Sequence, residues 1–482
     1  MPFDSLSHDL RSALVLHNTA TRRVEPFTPA DGHTARVYVC GPTVYSAPHI
    51  GNMRTYVSSD VLRRTLGLAG YDVLSAMNIT DVGHLVSDAD SGDDKMARAA
   101  RAESLTAWQI AAKYTELFFR ETERLGITAF THVPRATDHI GEQIALVQQL
   151  EERGVTYRTT DGIYFDTSQI PNYGKLTPHD TRDQLRAGER VAMGDKRHPT
   201  DFALWKFSHP DGPQRDMEWA SPWGVGFPGW HIECSAMAMK YLGPTLDIHV
   251  GGIDHIAVHH TNEIAQSETV TGRPFARWWL HGAFLVLDGE KRMGKSEGNR
   301  ITLDTLESWG YQPLEFRYLV LLSHYRSPLS FTRGALESAA TAYRRLAHRV
   351  STLREQAAGC AEMTAPSLHP HADGFIAALA DDLNTPRAVA AVWNLLRDPS
   401  IGAASKLSLL EWFDQVLGLG LSAIGAAADV PAPVAELAQR RWELRGAGQY
   451  AEADKLRAEL TAIGYVVEDE RDGYRVRPLE GR

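Results

Sequence analysis

The sequence predicts a parallel α/β domain, interrupted by an insertion and followed by a helical bundle and a small α+β module. Three observations predict it. Between about residues 35 and 135, apolar strand-like runs alternate with helical patterns, and strands alternating with helices imply a parallel sheet. From about 136 to 225 that grammar breaks up among Gly, Pro and charges, then returns downstream. After residue 310 the chain turns Ala-rich and helical.

In chain order, Val37 to Cys40 reads as the first core strand. The stretch after Gly51, with Val57, Val61, Leu62 and Leu66, reads as an amphipathic helix. Val73 to Met77 forms the second strand, and Thr106 to Leu125 a long helix. The broken region carries Tyr157, Tyr164, Phe165, Trp205 and Trp219 and is expected to be an insertion. Periodicity resumes with a helix from His231 to Leu242, a strand from Leu246 to Val250 and a helix from Thr261 to Val270. Helices near 311–324, 333–358, 372–397 and 405–425, with breaks at Pro366, Pro370 and Pro386, imply a bundle. Past the boundary Gly425 to Pro433, helices over 433–446 and 449–463 precede Tyr465 to Asp469, an Arg471-Asp472-Gly473 turn and Tyr474 to Pro478. That order implies a separate module closing in a hairpin.

At 482 residues the chain has room for about three domains. A hydrophobic content of 43% and a charged content of 23% are ordinary for a globular protein. No apolar run is long enough to span a bilayer, and Met1 to Ser5 has neither the basic nor the apolar region of a signal peptide, so no membrane and a cytoplasmic location are expected. A net charge of −10 argues against a surface built for indiscriminate nucleic-acid binding but leaves room for a local basic face. Three cysteines, Cys40, Cys234 and Cys360, exclude a disulfide scaffold.

Two short segments carry phosphate chemistry. Pro48-His49-Ile50-Gly51-Asn52 sits at a strand-to-helix turn, with an imidazole and an amide at the helix N-terminus, where anions are favoured. Arg292 to Asn299 is a polar Gly-containing loop with one ammonium, Lys295, beside the hydroxyl of Ser296, fit to close over leaving pyrophosphate. Each alone is ordinary turn chemistry; their pairing around an α/β core points to a nucleotide attacked at its α-phosphorus. A third group is Cys40, Cys234, His259 and Glu263, the last two four residues apart on one helix face. By spacing alone a strand-end Cys is more often a small hydrophobe, and a His–Glu pair a surface contact. Cys40 adjoins the His49 turn, however, so a Zn²⁺ set would face the same cleft. Gly251 and Gly252 permit close approach of an adenosine, with Asp254 in reach of ribose or adenine, although paired glycines usually mark a plain turn. Asp88 to Asp94 does not fit a calcium loop, because its glycine comes one position early and no final Glu follows.

These residues lie in longer stretches: Leu16-His17-Asn18-Thr19, Val39 to Tyr45, His49 to Asn52, Asn78 to Val82, Gly229 to Ser235, Asp247-Ile248-His249, His259-His260, Asn262 to Gln266, the Lys295-Ser296 loop, and Ala451 to Arg457. In them the chain closely resembles the cysteinyl-tRNA synthetases, class I aminoacyl-tRNA synthetases, over essentially its whole length. The resemblance implies a Rossmann-like catalytic domain in two halves, 1–135 and 226–310, around a connective insertion at 136–225. A stem-contact region and helical bundle at 311–428 and an anticodon-binding module at 429–482 would follow. It implies that Cys40, Cys234, His259 and Glu263 bind one Zn²⁺, to which the thiolate of the substrate L-cysteine adds, a discrimination that serine's alcohol cannot match. ATP with Mg²⁺ and tRNA(Cys) would be the other substrates, and the chain would be a monomer. His49, Asn52, Lys295 and Ser296 would be catalytic. Gly41, Thr43, Gly51, His249, Gly251, Gly252, Asp254, Lys295 and Trp230 would contact nucleotide or cysteine, Trp230 as the wall of the cysteine pocket.

The chain departs from the family pattern at Arg292, Gly294, Val250, Ala257-Val258 and Thr261, and in the added stretch Gly83 to Gly92; all four zinc positions are intact. Cys360 has no partner in the motif set and is expected to be dispensable. Two other readings compete: a ligase passing cysteine to a small amine, as in the mycothiol-pathway relative, and a silent paralogue that binds tRNA or senses cysteine. Arg440, Arg441, Arg445, Lys455, Arg457, Arg475 and Arg477 in the tail favour tRNA over the first, and intact His49, Lys295 and zinc ligands oppose the second.

Overall fold

The computed structural model describes residues 4–83, 95–177, 195–208, 215–287, 291–292, 300–357, 370–425, 431–470 and 473–478. Its centre is a four-stranded parallel sheet, whose strands we label β1 (Thr34–Val39), β2 (Asp72–Met77), β3 (Leu246–Gly252) and β4 (Ala276–Gly282). The spatial order is β4-β3-β1-β2, with β1 paired in parallel to both β2 and β3. Helix α1 (Ile50–Leu68) joins β1 to β2, α2 (Trp230–Leu242) leads into β3, and α3 (His259–Thr271) joins β3 to β4. The chain leaves β1 toward one edge and later returns on its other side, so β1 and β3 flank a switch point. Their carboxyl ends, Cys40 and Gly251-Gly252, open a crevice there, where ligands bind in doubly wound sheets.

The insertion is more regular than its sequence pattern implies. Strands Thr156–Arg158, Gly162–Phe165, Phe202–Phe207 and Gly226–Pro228 form an antiparallel sheet against the helix Ile140–Glu152, and the last of them lies wholly beyond residue 225. Gly162–Phe165 is buried throughout and Phe202–Phe207 almost so, which removes the alternation that marks a half-exposed strand. The core here is separate from that of the parallel sheet, with Phe165 stacked on Phe202 at 5.0 Å and Trp205 fully buried.

In the bundle, the stretch over 372–397 with its expected break at Pro386 forms two helices, Pro370–Ala380 and Thr385–Arg397, with Pro386 in the first turn of the second. The break lies at Asp382 and Leu383, both left-handed, with φ of 53° and 57°. Such backbone is costly for non-glycine residues and persists only where the surroundings enforce it. The Asp382 carboxylate accepts from His17 N at 2.8 Å, Tyr325 OH at 2.8 Å and Arg326 Nε at 2.6 Å. That carboxylate also ties the N-terminal strand Val15–Asn18 to the bundle, and the helix Asp4–Ala13 packs on Pro370–Ala380, so the first residues join the bundle as well as the nucleotide fold. The C-terminal module matches its expected order, with helices Ala432–Gly446 and Tyr450–Ala462 and the hairpin Tyr465–Glu470 with Gly473–Pro478. Val434, Ala438, Leu460 and Val467 form its core. Among the described residues no helix is long and apolar enough to cross a membrane.

A buried carboxylate bolts the sheet to the bundle. Asp60 of α1 is fully buried and meets Arg317 Nη2 at 2.7 Å and Arg64 Nε at 2.7 Å, while accepting from Thr128 N at 2.8 Å. Arg317, fully buried too, also donates to Leu417 O and Leu125 O. Burial pushes the Asp60 carboxyl up, but Arg317, Arg64 and Arg63 outweigh it and hold it at about 2, against an ordinary 3.8. A depressed folded-state pKa stabilises fully above the unfolded value and is lost as pH falls through the folded one, so this contribution should disappear between about pH 4 and pH 2. Asp60→Asn leaves Arg317 buried without its anion and is expected to destabilise the protein by about 3–5 kcal/mol. Urea denaturation at pH 7 checks this, and in the same variant the stability loss between pH 4 and 2 should be shallower than in the parent.

Candidate active site and metal centre

The crevice at the switch point opens into a cavity of about 320 Å³. Its lining includes Cys40, Gly41 and Thr43 after β1, His49 and Asn52 at the start of α1, Gly251 and Gly252 at the end of β3, Asp254 just beyond it, and Trp230, Cys234 and His259. Sequence-predicted residues from both halves of the sheet therefore converge on one space. Gly51 lies in the first turn of α1 but not on the cavity wall. His249 is a correction: it is fully buried off the wall, with Nε2 2.6 Å from Glu263 Oε2, so it supports the cysteine–histidine cluster rather than contacting nucleotide. Lys295 and Ser296, Gly294, Cys360 and the added stretch after Gly83 lie outside the described residues.

Local chemistry explains the His49 turn. His49 is the N-cap of α1; its Nδ1 accepts from Asn52 N at 3.2 Å, and Asn52 Oδ1 accepts from His49 N at 3.3 Å, a reciprocal capping box. Accepting at Nδ1 puts the ring proton on Nε2, the donor left for a phosphate oxygen at the helix N-terminus. Burial first, and Arg300 second, pull His49 down to about 4, so it is a neutral donor at physiological pH. Gly41 is required by the protein's own packing, because a Cβ there would sit 1.5 Å from Asn78 O. Asn78 Oδ1 accepts from Gly41 N at 2.7 Å, Asn78 Nδ2 donates to Thr80 Oγ1 at 2.9 Å, and Thr80 donates to Glu233 at 3.1 Å, which fixes the cavity floor.

Cys40, Cys234, His259 and Glu263 are all buried, and one ligand atom from each lies within 4.8 Å of the others. His259 Nε2 and Glu263 Oε1 approach to 2.8 Å, yet that oxygen makes no hydrogen bond, as expected of two donor atoms aimed at a common cation. Burial pushes the Cys40 thiol well up, with its hydrogen bond to Cys234 adding to the rise, whereas that same bond draws Cys234 down. Burial works against charge on His259, but Glu263 and Cys234 override it and raise the imidazole to about 10. The pocket thus demands positive charge, which a divalent metal supplies while deprotonating the thiols.

Around this cluster lie histidines that the sequence reading did not assign. His260 Nε2 is 3.2 Å from Cys40 Sγ, His260 Nδ1 is 2.8 Å from His281 Nε2, and His281 Nδ1 is 2.8 Å from Thr19 Oγ1. If His260 donates to the Cys40 sulfur, each later link must donate inward, so the Thr19 hydroxyl orients two imidazoles beneath the cluster. His231 Nδ1 meets His259 Nδ1 at 3.0 Å. The density of His249, His255, His259 and His260 was a usable signal; nothing local marked His281.

Family models match two parts of the chain: "tRNA synthetases class I (C) catalytic domain" over residues 26–341, and "Cysteinyl-tRNA ligase anticodon binding domain" over 427–477. Cysteine–tRNA ligase 1 of Burkholderia lata is 49% identical over 464 residues, covering 96% of each chain. The cysteine–tRNA ligase of Thermus thermophilus is 42% identical over 487 residues, covering 96% of this chain and 99% of its own. Among solved structures, Mycobacterium tuberculosis methionyl-tRNA synthetase with methionyl-adenylate superposes with a TM-score of 0.56 at 16% identity, over 81% of this chain and 92% of that one. An Agrobacterium radiobacter LeuRS–tRNA–LeuAMS complex gives 0.59 at 13% identity, over 84% and 87%. The structural likenesses speak for the fold alone.

The histidine packing can be probed at Gly251, where a Cβ would come within 2.6 Å of His260 Cε1 and 2.7 Å of His255 Nδ1. Gly251→Ala should displace both rings and weaken metal retention by about 10- to 100-fold, read by competition with a chromophoric chelator.

Proposed function

This chain belongs to the cysteine–tRNA ligase family of class I aminoacyl-tRNA synthetases, and on that premise we infer how its cavity performs the two reactions. The enzyme activates L-cysteine with ATP to cysteinyl-adenylate and transfers the cysteinyl group to tRNA(Cys). The observation that carries the mechanistic reading is that the His49 cap and Cys40, Cys234 and His259 line one cavity, with Glu263 buried off its wall in the same cluster.

The cysteine carboxylate is itself the nucleophile, so the protein's task is positioning and charge stabilisation. The His49 Nε2–H and the Asn52 amide donate to phosphate oxygens at the α1 N-terminus. Gly251 and Gly252 let adenosine approach, with Asp254 at its ribose, and Trp230 walls the amino-acid side. Lys295 and Ser296 close over the pyrophosphate, which enters with ATP as its Mg²⁺ complex. We assign one Zn²⁺ to the Cys40–Cys234–His259–Glu263 set, because two thiols, an imidazole and a carboxylate buried together suit it. When bound it supplies an affinity for thiolate over alcohol, beyond the ~1–3 kcal/mol that shape alone gives for one small group. Metal analysis should find one zinc per chain, and Cys234→Ser should chiefly raise the KM for cysteine and narrow the margin against serine. Cysteine-dependent ATP–pyrophosphate exchange persisting in zinc-free protein would refute the assignment.

The C-terminal module reads the tRNA on this account. Arg440, Lys455 and Arg457 are exposed and available to phosphates, and Arg445, also exposed, pairs with Asp469 at 3.3 Å. Arg441 is not: it is buried and bidentate on Asp469 at 2.6 and 2.9 Å, holding helix to hairpin. Truncation after residue 430 is expected to leave ATP–pyrophosphate exchange nearly intact while aminoacylation collapses and its salt dependence weakens. Equal charging by full-length and truncated protein would revive transfer to a small amine.

A further inference from the structure

We propose that Lys95 is a catalytic residue of the activation step, whose ammonium joins the attacking carboxylate of the amino acid to the α-phosphate. Lys95 is the first residue of the helix Lys95–Glu103, and Met96 and Ala100, both buried in the main core, pin that helix in place. Its side chain lines the cavity shared by His49, Asn52, Thr80 and Trp230. The ammonium stands 5.7 Å from the centroid of the Trp230 ring, and that ring lies 4.7 Å from His259 of the metal cluster. Lys95 therefore belongs to the amino-acid side of the cavity, near the point where the two substrates must meet.

Charge balance gives it a role. Among the described residues lining the cavity, Lys95 is the only lysine or arginine, and Asp254 the only aspartate or glutamate. His49 contributes a hydrogen bond without charge, since burial holds it neutral, and nearby Arg300 bonds Ser46 Oγ at 3.0 Å. Bond formation brings two anions together: a carboxylate oxygen forms the new bond to the α-phosphorus, the bond from that phosphorus to the bridging oxygen breaks, and pyrophosphate leaves with the electron pair. The adenylate keeps one negative charge on its phosphate. A cation on the cysteine side lowers the repulsion on approach and stays with the adenylate after pyrophosphate and any cation on the loop side have gone.

The inference rests on the proposed activation reaction, and full-length parent, Lys95→Met and Lys95→Arg proteins distinguish the two. With the parent active in cysteine-dependent exchange, Lys95→Met should lower the single-turnover rate of adenylate formation about 100-fold. It should also speed loss of preformed adenylate, while zinc content and melting temperature stay those of the parent. Lys95→Arg, which keeps the charge, should recover most of the rate. An activation rate in Lys95→Met within about twofold of the parent would overturn the inference and leave the proposed function standing. So would equal loss in both variants accompanied by lost zinc or a lowered melting temperature, the mark of a merely structural residue. No exchange by zinc-loaded parent protein would overturn both.

Discussion

The structure is organised around an unbalanced charge. Two thiols, a glutamate and an imidazole are buried together at the carboxyl ends of β1 and β3, where water cannot solvate them. Burial of ionised groups is tolerated only when they are paired or bound to metal. In its own terms the protein responds by raising His259 and Cys40 in pKa, so that protons stand where a dication belongs. The four ligands come from the end of β1, from α2 and from α3, so satisfying that charge also fixes two helices against the sheet. The relay from Thr19 through His281 and His260 to Cys40 extends the same requirement to the N-terminal strand.

A second network sets the phosphate end. α1 carries the His49 cap at its start, Arg54 one turn on and Asp60 beyond it. Arg54 is buried without a carboxylate and donates to the carbonyls of Ala283, Phe284, His324 and Ser327. The strand Leu285–Leu287 thus starts from a point clamped to the helix that His49 caps. Asp60 and Arg317 tie the other end of α1 to the bundle. One helix relates the His49 turn, the strand Leu285–Leu287 and the bundle.

Much of this was legible in the chain. The parallel sheet followed from alternating strand and helix patterns, because strands buried on both faces give unbroken apolar runs such as Val37 to Val39. The four-membered cluster followed from resemblance, while its spacing alone left it open. Illegible features share a cause: they are set by contacts between residues distant in sequence. His281 matters through His260, and Asp382 is held left-handed by His17 and Tyr325. Lys95 gave no motif; only the cavity around it marks it out.

The two cysteines of the buried cluster lie on opposite sides of the insertion in sequence, and β1 must wait for β3, synthesised much later, before the sheet closes. The insertion pairs its strands antiparallel among themselves, but its core also takes in Ile232 and Ala236 of α2 and Ala265 of α3, so it is completed only when those helices arrive. Closing long loops before contacts reward them slows folding. The Cys40–Cys234–His259–Glu263 cluster can therefore form only after the insertion, α2 and α3 have all been made, which makes it a late contact spanning nearly half the chain.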